Sequence, residues 1–506
     1  MKKHVLLFSM IAALALTGCQ SGGNKGEETN SGEGSQQTSG ESNVSSDTWV
    51  DPYVAPQPQT VTGDNFTINI PADLSSMSAN SKKYVDDMRA QQRRLLHEKG
   101  ENADYYLNDL YGTKGVDLTK GVTEGDNGGY RPANVQNDYL DAVTARYEDG
   151  QKSDESKGVT ITFTPSEALK NKAYTITYGK KADLSDGQSF TTNQTSFNLK
   201  NLLVNQKYYF KVSADGQEST VANFTTGDYP RWIDARPMFN VRDMGGYKVK
   251  GGKRIKQGLV YRGGEITPAS WNSGATYTGD VGGRYTNSSG KMQDGHIATQ
   301  DANSKKIFRD EIITNDNKVK EAMGMVNGVE IDLRSSSERA PSGQSYIACG
   351  FAEKKTDGTT NDINYKLISI SSYHNGMKNN ASNIKQVFDL FAKADENPVY
   401  FHCYGGADRT GVVGFLLGAM LGMTYTDLVI DFELTSYSSN PSRNYRSHLR
   451  EGPYNYWLQM LDYLQNTLNW DDKTTIQDGA KAYLKDKCKV TDATIQKIES
   501  IMLENA

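Results

Sequence analysis

The sequence predicts a multidomain protein in which a β-sandwich precedes an α/β domain. Two stretches carry that assignment. Residues 130–226 break into short alternating segments with turn residues between them. Val159-Thr160-Ile161-Thr162-Phe163, Tyr174-Thr175-Ile176-Thr177-Tyr178 and Tyr208-Tyr209-Phe210-Lys211-Val212 all alternate, as strands with one buried face do. Residues 398–423 run as a short apolar stretch, a glycine-rich turn and a longer apolar stretch of helical length, which reads as strand, tight loop, helix. Helical patterns at 383–393, 425–436 and 456–468 alternate with it, as in an α/β domain.

The chain begins with Met1-Lys2-Lys3-His4 and an apolar run over residues 5–16, too short to span a bilayer. Leu16-Thr17-Gly18-Cys19 comes next, so residues 1–18 read as a secretory signal peptide. The small residues before Cys19 resemble the lipobox of bacterial lipoproteins. That resemblance implies cleavage before Cys19, a lipid on its sulfur and amine, and a protein exported to the bacterial cell envelope and anchored to a membrane. Residues 19–60 are then a lipidated flexible tether. Their Gly, Ser, Glu, Asn, Thr and Gln cannot bury enough surface to fold, and Pro52, Pro56 and Pro58 stiffen its end.

Four cysteines in 506 residues exclude a disulfide-built exported domain, although a Cys349–Cys488 bridge stays open. The formal net charge is −5, and −7 without Lys2 and Lys3. There is no basic excess, so nucleic acid is not an expected partner. The six His are scattered and form no ligand pattern, so neither a metal nor an organic cofactor is expected.

Residues 61–128 read as an accessory region of unknown fold, either a small domain or a packing partner for its neighbours. Phe66-Thr67-Ile68-Asn69-Ile70 alternates as a strand and stops at Pro71. Residues 81–98 carry Tyr84, Met88, Leu95 and Leu96 on one helical stripe, which Lys99-Gly100 ends. Residues 129–228 form the sandwich. The segment 202–214, with Leu, Tyr, Phe, Val and Ala in register, and the closing Phe224-Thr225-Thr226 resemble a fibronectin type III domain. A spacer or scaffold is the expected role.

Residues 229–506 carry the chemistry, and the loop His402-Cys403-Tyr404-Gly405-Gly406-Ala407-Asp408-Arg409-Thr410-Gly411 organises them. Cys403 offers a sulfur nucleophile, and Arg409 a planar two-donor fork for phosphate oxygens. The glycines let backbone N–H groups converge on one anion, and a helix beginning near Thr410 adds its positive end. Such surroundings favour a thiolate, the form that attacks phosphorus. Tyr404, Gly405, Gly406, Ala407 and Arg409 are the expected phosphate-binding residues. Gly411, Gly414, Gly418 and Gly422 strip one face of the adjoining helix, which suits a helix lying close to the sheet.

Three further motifs agree in order with this loop. They are Asn240-Val241-Arg242-Asp243-Met244-Gly245-Gly246, Leu259-Val260-Tyr261-Arg262-Gly263-Gly264-Glu265, and Val329-Glu330-Ile331-Asp332-Leu333-Arg334-Ser335 with Glu338. Together they resemble a bacterial protein tyrosine phosphatase family of the tyrosine/dual-specificity type, whose signature reads His-Cys-x-x-Gly-x-Asp-Arg-Thr-Gly. The resemblance covers about half the chain. It implies an α/β Cys-dependent phosphatase domain acting on a phosphorylated substrate, protein phosphotyrosine first, through a cysteinyl-phosphate intermediate. Inositol polyphosphate or phosphoinositide is the alternative substrate. An inactive phosphatase-like binding protein is the third reading.

Within that scheme Cys403 is the nucleophile and Arg409 holds the transferred group. Thr410 can donate its hydroxyl to the departing sulfur, and His402 orients the loop from behind. Asp408 is the first candidate for the general acid, because the family places an Asp there. Asp332 is the second, and pairing with Arg334 or capping a loop is its plain alternative. Arg242 and Asp243 either line the pocket or form a buried ion pair that fixes a turn. Many family members carry a Lys where Ala407 stands, so multiply charged headgroups are disfavoured here. Residues 272–305, rich in Gly, Ser, Thr, Asn and Asp, read as a long insertion, either a lid or a bland surface loop.

Overall fold

The computed structural model describes residues 49–106, 156–234, 240–264, 329–335, 364–396, 398–438, 456–468 and 473–506, with three two-residue strands between 276 and 293. The expected signal peptide, the lipidation site Cys19, most of the tether and Cys349 lie outside the described residues.

Two antiparallel sheets share one core in the N-terminal half. The first holds β1 (Gln59–Thr62), β2 (Phe66–Ile70), β3 (Val159–Pro165) and β6 (Ser196–Leu199), in that order. The second holds β4 (Tyr174–Gly179), β5 (Gln188–Thr192), β7 (Lys207–Ala214) and β8 (Gln217–Glu218), ordered β5-β4-β7-β8, with β9 (Ala222–Thr225) also paired to β7. Alternation explains the packing. Val159, Ile161 and Phe163 point inward while Thr160, Thr162 and Thr164 face solvent. Phe163 meets Tyr174 edge-to-face at 4.9 Å between ring centroids, inside a core closed by Phe197, Phe210 and Phe224.

The boundary expected at 128/129 does not follow these strands. β2 pairs with β3 across it, Phe66 opposite Pro165 and Ile68 opposite Phe163. Helix α1 (Ala79–Lys99) instead joins the C-terminal half. Its buried Tyr84, Val85 and Met88 belong to that core, and Tyr84 stacks on Tyr437 at 5.4 Å. Gly100 ends α1 with φ of 94°, its N–H closing on the Leu96 carbonyl at 2.9 Å. Of residues 61–106, β2 thus belongs to the first sheet, between β1 and β3, and α1 to the C-terminal core.

The C-terminal half is built on five strands. β10 (Arg242–Asp243) leads to a small sheet of β11 (Lys248–Val249), β12 (Lys253–Ile255) and the C-terminal strand Leu503–Asn505, and then to β13 (Val260–Gly263). Within the expected insertion, β14 (Thr276–Tyr277), β15 (Tyr285–Thr286) and β16 (Met292–Gln293) form a three-stranded antiparallel sheet. The main sheet adds β17 (Val329–Asp332), β18 (Asn364–Leu367) and β19 (Val399–His402), with order β10-β13-β19-β17-β18. Only the β10 pairing is antiparallel; β13, β19, β17 and β18 run parallel. The central strand β19 is buried along its whole length.

Among the described residues, this half also holds helices α2 (Tyr373–Asn379), α3 (Ala381–Phe391), α4 (Arg409–Leu421), α5 (Tyr425–Leu434), α6 (Tyr456–Leu468), α7 (Ile476–Asp486) and α8 (Asp492–Met502). The predicted helices at 383–393, 425–436 and 456–468 thus correspond to α3, α5 and α6. No helix among the described residues is long and apolar enough to cross a membrane.

The glycine stripe of α4 faces α5 rather than sheet backbone. A Cβ on Gly411 would touch the Phe432 ring at 3.3 Å, and one on Gly418 would press Met423 and Leu428. A Cβ on Gly414 would sit 2.6 Å from the Arg262 guanidinium. Gly422 is the helix C-cap, with φ of 91°.

Candidate active site

Residues 403–408 form the loop between the central strand β19 and helix α4, at the carboxyl end of the parallel strands, where open α/β sheets bind ligands. Cys403 is buried at its floor, while Tyr404, Asp408 and Arg409 are half-exposed at its rim. Gly406 takes φ of 67°, and its α-carbon lies so close to the Gly263 backbone that no Cβ fits. Ala407 is buried and brings no charge.

Donors behind the loop fix its carbonyls. Asn240 Nδ2 donates to Gly405 O at 3.0 Å, and Arg262 Nη2 donates to Gly406 O at 2.9 Å. The peptide is planar and trans, so each pinned carbonyl turns the next N–H to the opposite side. The N–H groups of Gly406 and Ala407 are thereby turned away from Asn240 and Arg262. Arg242 donates in turn to Asn240 Oδ1. Arg242 and Asp243 are wholly buried and do not line a pocket. Arg242 supports the loop through Asn240, whereas Asp243 pairs with Arg231 and accepts from Gly245 N and Gly258 N.

His402 lies on the face of the sheet beneath Cys403. Its Nδ1 is 3.1 Å from Cys403 O and its Nε2 is 2.9 Å from Glu330 Oε1. Both neighbours are acceptors, which favours a doubly protonated ring. Burial opposes that charge, but Asp332 and Glu330 outweigh it, and the His402 pKa is raised. Beneath the loop, His402 is thus held by carboxylates that favour its charged form.

Asp332 belongs to this support. It is fully buried and bidentate with Arg334, at 2.9 Å from Nε and 2.8 Å from Nη2. Burial alone would raise its pKa; the charge of His402 and the bonds and charge of Arg334 prevail and hold it at about 2. Such a carboxylate has no proton to give near neutrality. The second candidate for the acid therefore takes the plain alternative, a strand-end ion pair. Asp408 differs. It is half-exposed at the loop rim, and the Tyr373 hydroxyl donates to its Oδ1.

The Thr410 hydroxyl is buried and makes no hydrogen bond among the described residues, so a bond to the Cys403 sulfur is not formed in this state. Cys488 is a buried free thiol far along the chain, pushed by burial up to about 11. Among the described residues, no group of three or more His, Cys, Asp or Glu side chains is placed to hold a metal.

Sequence reasoning missed Tyr373, which holds Asp408 from α2, and Asp431, which pairs from α5 with the two arginines behind the loop. Asp431 carried one signal, a charge in the apolar stretch Leu428-Val429-Ile430-Asp431-Phe432.

A parallel α/β sheet with a Cys-x5-Arg loop between its central strand and a helix defines a phosphatase domain. The chain belongs to the tyrosine phosphatase family, whose model matches residues 233–285 and 299–504. The unmatched residues 286–298 fall inside the stretch 272–305 that reads as an insertion. No curated protein matches the chain.

Proposed function

We propose that the protein hydrolyses phosphate monoesters, protein phosphotyrosine first among them, through a phosphocysteine at Cys403. The observation that carries this reading is the loop itself. Its cysteine lies at the floor, its arginine at the rim, and its carbonyls are pinned from behind. Cys403 Sγ attacks phosphorus while the bond to the leaving oxygen breaks. Asp408 gives its proton to that oxygen. Arg409 and the loop N–H groups hold the equatorial oxygens as charge develops. Water then attacks phosphorus, Asp408 takes its proton back, and the S–P bond breaks to release phosphate and the thiolate. The Thr410 hydroxyl, within the same helix turn, supplies a donor for that sulfur.

Ala407 argues for singly phosphorylated substrates. A loop without a lysine there holds the transferred phosphate but adds no cation for its neighbours. We read the two-sheet module as a fibronectin III-like scaffold and Cys19 as a lipidated anchor. Together they would hold the phosphatase at the surface of a bacterial envelope. Turnover of a phosphotyrosyl peptide, lost in Cys403→Ser, is the test.

A further inference from the structure

Behind the loop, one buried carboxylate joins two buried arginines. Asp431 Oδ1 lies 3.3 Å from Arg242 Nε, and Arg242 Nη2 donates to the Asp431 carbonyl at 2.9 Å. Asp431 Oδ2 accepts from Arg262 Nη1. Arg242 is 0% exposed, Arg262 is 0% exposed and Asp431 is 3% exposed. Each arginine then reaches the loop. Arg262 holds Gly406 O directly, and Arg242 holds Asn240, which holds Gly405 O. Gly414 on α4 leaves the space through which Arg262 reaches Asp431.

We propose that Asp431 is a positioning residue for the phosphate loop: it sets the two guanidiniums so that the Gly405 and Gly406 carbonyls are held back and the next two N–H groups converge on the anion. The inference rests on reading residues 403–409 as the phosphate loop. Charge supports it. A guanidinium keeps its charge in proteins, so both arginines stay cationic beneath the loop. Two unpaired arginines buried side by side would repel and be desolvated, so the carboxylate is what lets both occupy this place. Asp431 itself touches no loop atom, so it acts through Arg242 and Arg262.

The substitution Asp431→Asn keeps the shape and removes the charge. Three readouts separate positioning from plain stability: the inhibition constant of inorganic phosphate, kcat/KM, and the pH profile of Cys403 alkylation by iodoacetamide. Two opposite effects act on that profile. Deleting a negative charge alone would ease thiolate formation and move the profile to lower pH. Loss of the converging N–H groups would move it to higher pH. His402, Glu330, Asp332, Asp408 and Arg409 also face Cys403 or its loop and are unchanged in the variant. Positioning predicts phosphate affinity and kcat/KM about a hundredfold lower, with the profile shifted to higher pH. A folded variant with unchanged phosphate affinity, or a profile shifted to lower pH, overturns the proposal.

Should Asp431→Asn not fold, Arg262→Lys serves instead. A lysine keeps a charge beside Asp431 but lacks the fork that also reaches Gly406 O. Its phosphate affinity is expected to fall at least about tenfold; wild-type affinity would overturn the proposal. Alkylation and phosphate binding need no turnover. Wild-type protein that hydrolyses no phosphoester would therefore sink the proposed function while leaving this inference separately testable.

Discussion

In the proposed mechanism, proton transfer at the loop turns on Asp408, which the Tyr373 hydroxyl holds. Tyr373 sits at φ of 49°, a strained conformation for a bulky residue, at the first turn of α2. Such strain is kept where surroundings dictate it, and here its hydroxyl reaches Asp408 Oδ1. Tyr373→Phe removes one charge-assisted hydrogen bond and keeps the ring. We expect kcat to fall about tenfold with KM and thermal stability little changed. Steady-state kinetics beside a melting curve checks this; unchanged kcat would show that Asp408 needs no such partner. At this scale the contiguous part of the site was legible. Cys403, Asp408, Arg409 and the glycines lie within one loop, and their spacing is chemistry. Tyr373 lies 35 residues from Asp408, and Asp431 lies 189 from Arg242, so only the fold brings them together. Asp332 shows the converse. Its sequence allowed either an acid or an ion pair, and burial beside Arg334 decided for the pair.

Among the elements, α4 and α5 explain each other. Every residue of α5 is buried, so it packs on all sides and has no solvent face. Close approach of α4 requires the bare stripe at Gly411, Gly414 and Gly418. The stripe was visible in the sequence, but the surface it faces was not, because periodicity gives the face and not its partner. Gly414→Ala tests the assignment. Helix propensity alone would stabilise by about 1 kcal/mol. Displacing Arg262 from Asp431 would cost about 3–5 kcal/mol. We therefore predict net destabilisation of about 2–4 kcal/mol with reduced kcat. Denaturant unfolding decides, and a more stable variant of normal activity would show that Arg262 does not need the space.

Over the whole molecule, the N-terminal segment is built into the catalytic half at several points. Arg231 donates to Asn201 O at 2.8 Å and to Leu202 O at 3.2 Å, and pairs with Asp243 at 2.7 Å. Gln257 exchanges hydrogen bonds with the Val204 backbone at 2.8 and 3.0 Å. The sandwich strands and the α1 stripe were legible from periodicity, whereas the loop contacts of this joint have no periodic signal. The same joint carries a pH dependence. Asp104, just after α1, accepts from Gln92 on α1 at 2.7 Å and from Thr426 N on α5 at 3.3 Å. Burial, helped by Asp427 and only partly offset by those bonds, raises its pKa to about 6. The unfolded value is about 3.9. A raised folded pKa means stability that is full below about pH 4 and is lost as pH rises through about 6. The loss is on the order of 3 kcal/mol. Asp104→Asn should flatten the profile between pH 4 and 7 and be the more stable protein at pH 7. Melting curves across that range check it; an unchanged slope would remove Asp104 as its source.

The proposed function rests on transfer of phosphate from a phosphotyrosyl substrate to Cys403. The most direct measurement is release of phosphate from a phosphotyrosyl peptide, under reducing conditions, by the protein and by Cys403→Ser. Phosphoserine peptide, phosphoinositide and phytate serve as comparison substrates. We predict turnover of phosphotyrosine above the others and none in the variant. Activity that survives Cys403→Ser, or no turnover of any of these substrates by the unaltered protein, would contradict that role for Cys403.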